Sequence, residues 1–354
     1  MNDASCAPVD VLIVGGGLAG LSLADRLRGT GKSITLIEAR DRLGGRILGE
    51  APGLDLGPAW FWPGQPRMAA LVADLGLAAF EHFAVGDALH EDATGQVFRT
   101  GGQGGMAGSL RIAGGLGRVV DRLSARVPEG ILQREVRVVA VRRGPAGIEA
   151  ETADGRRISA RRIVLALPPR IAARLRFDPP LSALGAMAEV PTWMAGQAKA
   201  VVSYDRPFWR AAGLSGDAFS RRGPMVEIHD ASGPDGTPAA LFGFIGVPAA
   251  ARQDSEGLRA AVLAQVVRLF GPEAASPRAL HLKDWAFDPM TATQADQAPL
   301  TQHPAYGPVP GAETVWDGTV ILGGSEVAPR FGGYLEGALE AAEAVAARLM
   351  APLP

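Results

Sequence analysis

The stretch DVLIVGGGLAGLSLADRLRGTGKSITLIE, residues 10–38, constrains most strongly what this chain can fold into. Val11 to Val14 is a short apolar run. Gly15-x-Gly17-x-x-Gly20 turns at once into a helix whose apolar face is Leu21, Leu23, Ala24 and Leu27, and a second strand, Ser33 to Ile37, ends at Glu38. Glycines permit the tight turn and let backbone N–H groups approach a pyrophosphate, whose charge suits the positive end of a helix. Glu38 then stands where a carboxylate can accept hydrogen bonds from an adenosine ribose. Strand, turn, helix and acid together predict a dinucleotide-binding unit. They do not separate NAD from FAD.

The totals narrow the surroundings of that unit. With 354 residues, 47% of them hydrophobic, the chain can bury a large core, most naturally as two domains. A net charge of -2 argues against a nucleic-acid binder or a polybasic membrane-surface protein. The single cysteine, Cys6, rules out an intramolecular disulfide framework, and the five histidines are scattered with no pair at metal-ligand spacing, so no metal site is expected. No signal peptide and no membrane-spanning run is read in the sequence, which leads us to expect a cytoplasmic protein.

Several further segments carry a family resemblance. RDRLGGR, Arg40 to Arg46, resembles the Arg-x-Gly-Gly-Arg signature of the flavin-containing amine oxidase (monoamine oxidase-like) family, and GLDLGPAWFW, Gly53 to Trp62, resembles its Asp-x-Gly segment. RIAGGLGRVVDRL, EVRVVAVRR and RRIVLALPPRIAARLRFDPPL are similar to its Gly-Gly turn and helix, its adenine-side strand and its Pro-Pro turn. Near the C-terminus, GGSEVAPRFGGYLEG, Gly323 to Gly337, is similar to its Gly-Thr-Glu and Ser-Gly-Tyr-x-Glu-Gly pair. The resemblance implies an α/β fold, a Rossmann-like FAD-binding domain of the glutathione reductase type interleaved with an α+β substrate domain. It implies cofactor contacts from Gly15, Gly17, Gly20, Glu38, Arg40, Gly44, Gly45, Arg46, Gly57, Val136 (through its backbone), Glu326 and the N–H of Leu335.

QAKAVVSYDRPFWR, from Gln197, alternates like a half-buried strand, yet it holds Lys199, one of three lysines against 32 arginines. A lysine on such a strand can snorkel its amine to solvent. The segment is also similar to the family's Lys-x-x-x-x-Tyr-x-x-Pro-Phe-Trp, in step with Tyr204, Pro207, Phe208 and Trp209. That likeness implies that Lys199 holds a water at flavin N5 and favours reoxidation by O2. Tyr334 matches one wall of the family's aromatic sandwich, so Lys199 and Tyr334 are the expected catalytic pair, with Trp60, Ala295 and Tyr334 lining the substrate cavity.

Two departures bear on the substrate. KDWAFDPMTATQADQAPL keeps Trp285, Asp288 and Pro289, but the positions of the family's flavin-linking cysteine and second sandwich tyrosine fall on Gln294 and Ala295. Non-covalent FAD is therefore expected. Only about fifty residues separate GPAWFW from RIAGGLGR, where larger members insert a helical cap. The flavin domain is expected over 1–80, 110–189 and 291–354, and the substrate domain over 81–109 and 190–290. The helix SEGLRAAVLAQVVRLF is expected to take Ser255 as its N-cap. The activity implied is hydride transfer from the α-carbon of an amine to flavin N5, giving an imine, then an aldehyde or ketone, and hydrogen peroxide from O2. A desaturase or porphyrinogen-type oxidase acting on a non-amine substrate, or a flavin-binding protein with little turnover, is the competing reading.

Overall fold

The computed structural model describes residues 7–101, 104–144, 147–298, 300–313 and 315–351. Cys6 and the middle of the GGQGG run, Gly102 and Gln103, lie outside the described residues. The chain divides into two compact units, Met1–Arg46 with Val120–Trp193 and Gln302–Pro354, and Ile47–Val119 with Met194–Thr301. No helix among the described residues is long and apolar enough to cross a membrane.

The first unit is built on an eight-stranded sheet. Its strand β1 (Val9–Val14) pairs in parallel with β2 (Ile34–Ile37) on one side and with the strand Arg157–Leu165 on the other, which in turn pairs in parallel with Val320–Leu322. Leu12 and Ile13 are fully buried, as a strand covered on both faces demands. Helix α1 (Leu18–Leu27) packs against the C-terminal helix Leu335–Met350. Beyond Arg157–Leu165 the pairing turns antiparallel through Gly147–Thr152 and Val138–Gly144, and the edge strand Arg176–Asp178 runs parallel to Val138–Gly144. Phe177, Val141, Ile148 and Trp316 fill the core on that side.

The second unit carries a seven-stranded sheet in the order Ala279–Asp284, Ala198–Tyr204, Ala239–Ile245, Met225–Asp230, Leu214–Ser220, Asp87–Glu91, Val97–Thr100. Neighbours run antiparallel except Leu214–Ser220 beside Asp87–Glu91, which are parallel. Tyr204, Phe208 and Trp209, in step with the family pattern, are core residues here, and the Trp209 indole N–H donates to Asp230 Oδ2 at 2.8 Å. Truncating a tryptophan so buried costs about 3–5 kcal/mol. The long helix runs Ser255–Phe270 and ends on Gly271 (φ 92°). Its N-cap is Asp254 rather than Ser255, because the Asp254 carboxylate accepts the Gly257 N–H at 2.9 Å.

Residues 47–80 fall in the second unit, although they were expected with the flavin domain. The reason is apolar: Leu54 and Leu56 are buried against Val201, Ala240 and Phe242 of the second sheet. The short helix of this region spans Pro66–Asp74 and starts on a proline, whose missing N–H a first helical turn tolerates.

Candidate active site

In the first unit the three motif glycines have three different tasks. Gly15 sits at φ 111°, closing the turn, and a Cβ there would meet Ala166 O at 2.6 Å. A Cβ on Gly20 would lie 1.9 Å from Gly15 O, so helix α1 can approach β1 only without a side chain. Gly17, between them, has nothing closer than 3.9 Å to an added Cβ. That open backbone at a helix start is the arrangement that admits a phosphate. The Gly44-Gly45 doublet closes over it: the Gly44 N–H donates to Gly16 O at 2.9 Å, and Gly44 bridges Gly17.

Glu38 is buried at the end of β2, where its carboxylate accepts the N–H of Gly16 at 2.8 Å and of Arg40 at 2.9 Å. Those bonds fix the carboxylate beside the glycine turn. The Val136 N–H donates to Glu38 O at 2.9 Å, which holds its backbone beside the Glu38 carboxylate. Arg46 donates to Glu326 Oε1 at 2.6 Å and to Ser325 Oγ at 2.9 Å, joining the Gly-Gly loop to the C-terminal signature. Glu326 is fully buried and its Oε2 has no hydrogen-bond partner. A buried carboxylate oxygen left without a donor is costly, and the hydroxyl-bearing chain of a flavin dinucleotide supplies donors of the kind it lacks. The residues present fit the cofactor.

Tyr334 is the N-cap of the helix Leu335–Met350, so the Leu335 N–H belongs to a first turn whose N–H groups have no intrahelical acceptor. The Tyr334 ring stacks on His303, centroids 4.6 Å apart and 8° from parallel. His303 in turn meets Trp193 at 5.0 Å and Tyr306 at 5.3 Å edge-on. The Tyr306 hydroxyl accepts the Trp193 N–H and donates to Pro191 O, each at 2.8 Å. Trp193, His303 and Tyr306 were not anticipated; none lies in a motif, and only their spatial meeting at Tyr334 reveals them.

In the second unit Lys199 is 3% exposed on a strand buried along its whole length, because both faces of Ala198–Tyr204 are covered, one by the helix Ser255–Phe270 and the other, which carries Lys199 and Val201, by Leu54, Leu56 and Trp60. Snorkelling to solvent is thereby excluded. Its Nζ donates to Gly57 O at 3.0 Å, bringing together two residues expected from separate motifs. It lies 4.0 Å from the Phe242 ring centroid, 5.6 Å from Trp60 and 5.8 Å from Phe244. Burial pushes the Lys199 ammonium down to about 7, against the pull of Asp55. Burial likewise raises the Asp55 carboxyl, opposed by Lys199 and Arg111, while the Leu116 N–H donates to Asp55 Oδ1 at 2.9 Å. Arg111 is also buried; its two terminal nitrogens donate to the carbonyls of Ser232 and Ala231, at 2.6 and 2.9 Å, while its Nε has no hydrogen-bond partner.

Ala295 is exposed on a one-turn 3-10 helix, Gln294–Asp296, held by a Thr293–Asp296 capping box. Trp285 of the same segment donates its indole N–H to Leu56 O at 3.0 Å, and Asp288 pairs with Lys283 at 2.9 Å. Sequence reasoning did not single out Asp55, Arg111 or Phe242. The alternation in AALFGFI puts Phe242 and Phe244 on one face of their strand, but does not show that this face packs beneath the lysine.

Comparison with known proteins identifies the family and the fold. Residues 91–350 match the family model described as flavin containing amine oxidoreductase, and residues 13–75 match an NAD(P)-binding Rossmann-like domain. An L-amino acid dehydrogenase of Synechocystis is 24% identical, covering 95% of this chain and 94% of that protein. Putrescine oxidase of Kocuria rosea is 23% identical over 87% and 89%. Among solved structures, wild-type putrescine oxidase bound to putrescine superposes with a TM-score of 0.80 at 21% identity, covering 98% of this chain and 99% of that one. Cyclohexylamine oxidase from Brevibacterium oxydans gives 0.81 at 22%, over 97% and 98%.

Proposed function

The chain belongs to the flavin-containing amine oxidoreductase family, and from that premise we propose that it is an oxidase of a small amine. It is an FAD-dependent oxidoreductase. Its only cysteine is Cys6, and Gln294 and Ala295 occupy the linking positions, so the flavin is held without a covalent bond. When bound, FAD supplies the redox chemistry, taking a hydride from the α-carbon of the amine and passing the electrons to O2, with imine and hydrogen peroxide as the products. The imine then hydrolyses to an aldehyde or ketone.

The observation that carries this reading is Lys199. An amine sealed among Trp60, Phe242 and Phe244, with Gly57 O as its acceptor and a pKa near 7, is a positive charge that can be present or absent at working pH. Such a group stabilises negative charge far better in a dry site than in water. We assign it the family's lysine role at flavin N5. Tyr334, at the start of the C-terminal helix, is assigned an aromatic wall for the substrate. The helix's first-turn N–H groups offer positive charge to an anionic cofactor edge.

The test is anaerobic mixing of the holoenzyme with a panel of monoamines, diamines and amino acids, followed by air. Bleaching of the flavin by an amine and peroxide on aeration are the expected results. Bleaching by none would overturn the amine reading in favour of the desaturase one. Bleaching with no peroxide on aeration would make the enzyme a dehydrogenase with another acceptor.

A further inference from the structure

Three side chains that the proposed oxidation leaves unused converge in the second unit. His82 follows the strand Ala79–Glu81, Asp217 lies on Leu214–Ser220 and His229 on Met225–Asp230. His82 is 4% exposed and the other two are fully buried. One donor atom of each lies within 4.8 Å of the other two. His229 Nδ1 is 2.7 Å from Asp217 Oδ1, and its Nε2 is 2.7 Å from Glu227 Oε1. His82 Nε2 is sealed from solvent and has no hydrogen-bond partner.

Hydrogen bonding alone does not complete this cluster. It satisfies His229 and Asp217 but leaves His82 Nε2 as a buried polar atom without a partner, which native interiors rarely tolerate. We propose that His82, Asp217 and His229 form a binding site for a divalent transition-metal ion, with zinc as the best match. Two imidazoles and one carboxylate are a zinc donor set. Zinc holds such atoms at about 2.0–2.2 Å, so ligands of a tetrahedral ion stand about 3.3–3.6 Å apart. The ion would therefore part His229 Nδ1 from Asp217 Oδ1, now 2.7 Å apart, in a cluster whose donor atoms all lie within 4.8 Å of one another. A second-layer carboxylate is already in place at one ligand: Glu227 Oε1 accepts from His229 Nε2 at 2.7 Å, and it would keep that proton bond when Nδ1, now bonded to Asp217, gives up its own proton to the ion, the carboxylate–histidine–metal relay.

Ligation has a definite consequence at His82. The Trp60 indole N–H now donates to His82 Nδ1 at 3.2 Å. Binding an ion through Nε2 puts the ring proton on Nδ1, so the indole must give up that bond. Trp60 is therefore a built-in reporter of metal binding. Asp217 Oδ2 also accepts the Gly105 N–H at 3.1 Å, so the ion would tie that loop to two sheet strands. Three protein ligands leave one position of the tetrahedron for water.

The experiment uses the holoenzyme, freed of metal by a chelator and titrated with Zn2+ and, separately, Co2+. Expected are one equivalent bound per chain, the visible absorption of tetrahedral Co2+, and a change in tryptophan emission. Trp60→Phe should remove the emission change and keep the stoichiometry. His82→Phe and Asp217→Asn should each weaken binding by at least tenfold, and Glu227→Gln by about 10–100-fold. Should Asp217→Asn fail to fold, His82→Phe, outside the strands, and Glu227→Gln carry the test. No binding at one equivalent, or binding that these substitutions leave unchanged, overturns the proposal. Amine turnover is not the readout, so the outcome is separable from that of the oxidase reading.

Discussion

In the first unit the dinucleotide cradle is made largely of backbone: the Gly15–Gly20 turn, the Gly44 N–H on Gly16 O, and the first turn of the helix at Leu335. In the second unit the lysine pocket is made of side chains from distant segments: Lys199, Phe242, Phe244, Trp60, Asp55 and Arg111. The cradle fails by steric intrusion, because a backbone packed at 1.9 Å from where a Cβ would stand has no room to yield. The pocket fails by electrostatics, because it holds buried charges whose balance sets one amine's protonation. The contrast teaches that the cofactor site should be all-or-none in its response to mutation, and the lysine pocket graded.

The largest effect should come from the cradle. Gly20→Val places side-chain atoms on Gly15 O, so FAD retention should fall by about 100-fold or more, with a stability loss of about 3 kcal/mol, read by flavin absorbance and denaturant titration. A variant that retains full flavin would break the comparison at its firmer end. Next, Lys199→Met should keep FAD while flavin reoxidation in stopped flow slows by about 100-fold. An unchanged rate would remove Lys199 from the chemistry.

The graded response appears most directly in pH. Lys199 titrates at about 7 in the folded chain and about 10.4 when unfolded. Between those values the unfolded chain binds the extra proton, so this group makes stability rise with pH; below pH 7 the buried charge costs its full penalty. The stability advantage of apo Lys199→Met over apo wild type should therefore be greatest below pH 7 and shrink towards pH 10. Asp55→Asn removes the carboxylate that raises the lysine, so the reoxidation pH profile should move to lower pH, and a profile that stays put would detach Asp55 from Lys199. Smallest is Asp254→Ala, which loses the Gly257 cap for about 1 kcal/mol without touching either site.

Legibility in the sequence follows the same division. Backbone sites need glycines at fixed offsets, and a strand-turn-helix keeps those offsets contiguous in the chain, so Gly15, Gly17, Gly20, Gly44 and Gly45 could be named before any fold was known. Lys199 could be singled out by rarity and flanking pattern, but alternation made its strand look half-buried. Only the packing of Leu54, Leu56 and Trp60 over the face that carries Val201 and Lys199 shows that the amine is cut off from water. The scattered histidines show the limit most sharply. Read in order, His82 and His229 had no ligand spacing; the second sheet sets them beside Asp217.

The sequence by itself determined the dinucleotide unit, the family and the absence of a flavin-linking cysteine, because each rests on local geometry or on the presence of a residue type. Tertiary structure alone decided what surrounds Lys199, that residues 47–80 pack with the second unit, and that His303 stacks on Tyr334. The physical reason is range. Turn and helix chemistry act over a few residues of chain, whereas burial, charge balance and ring stacking act over a few ångströms of space, and only folding converts one distance into the other.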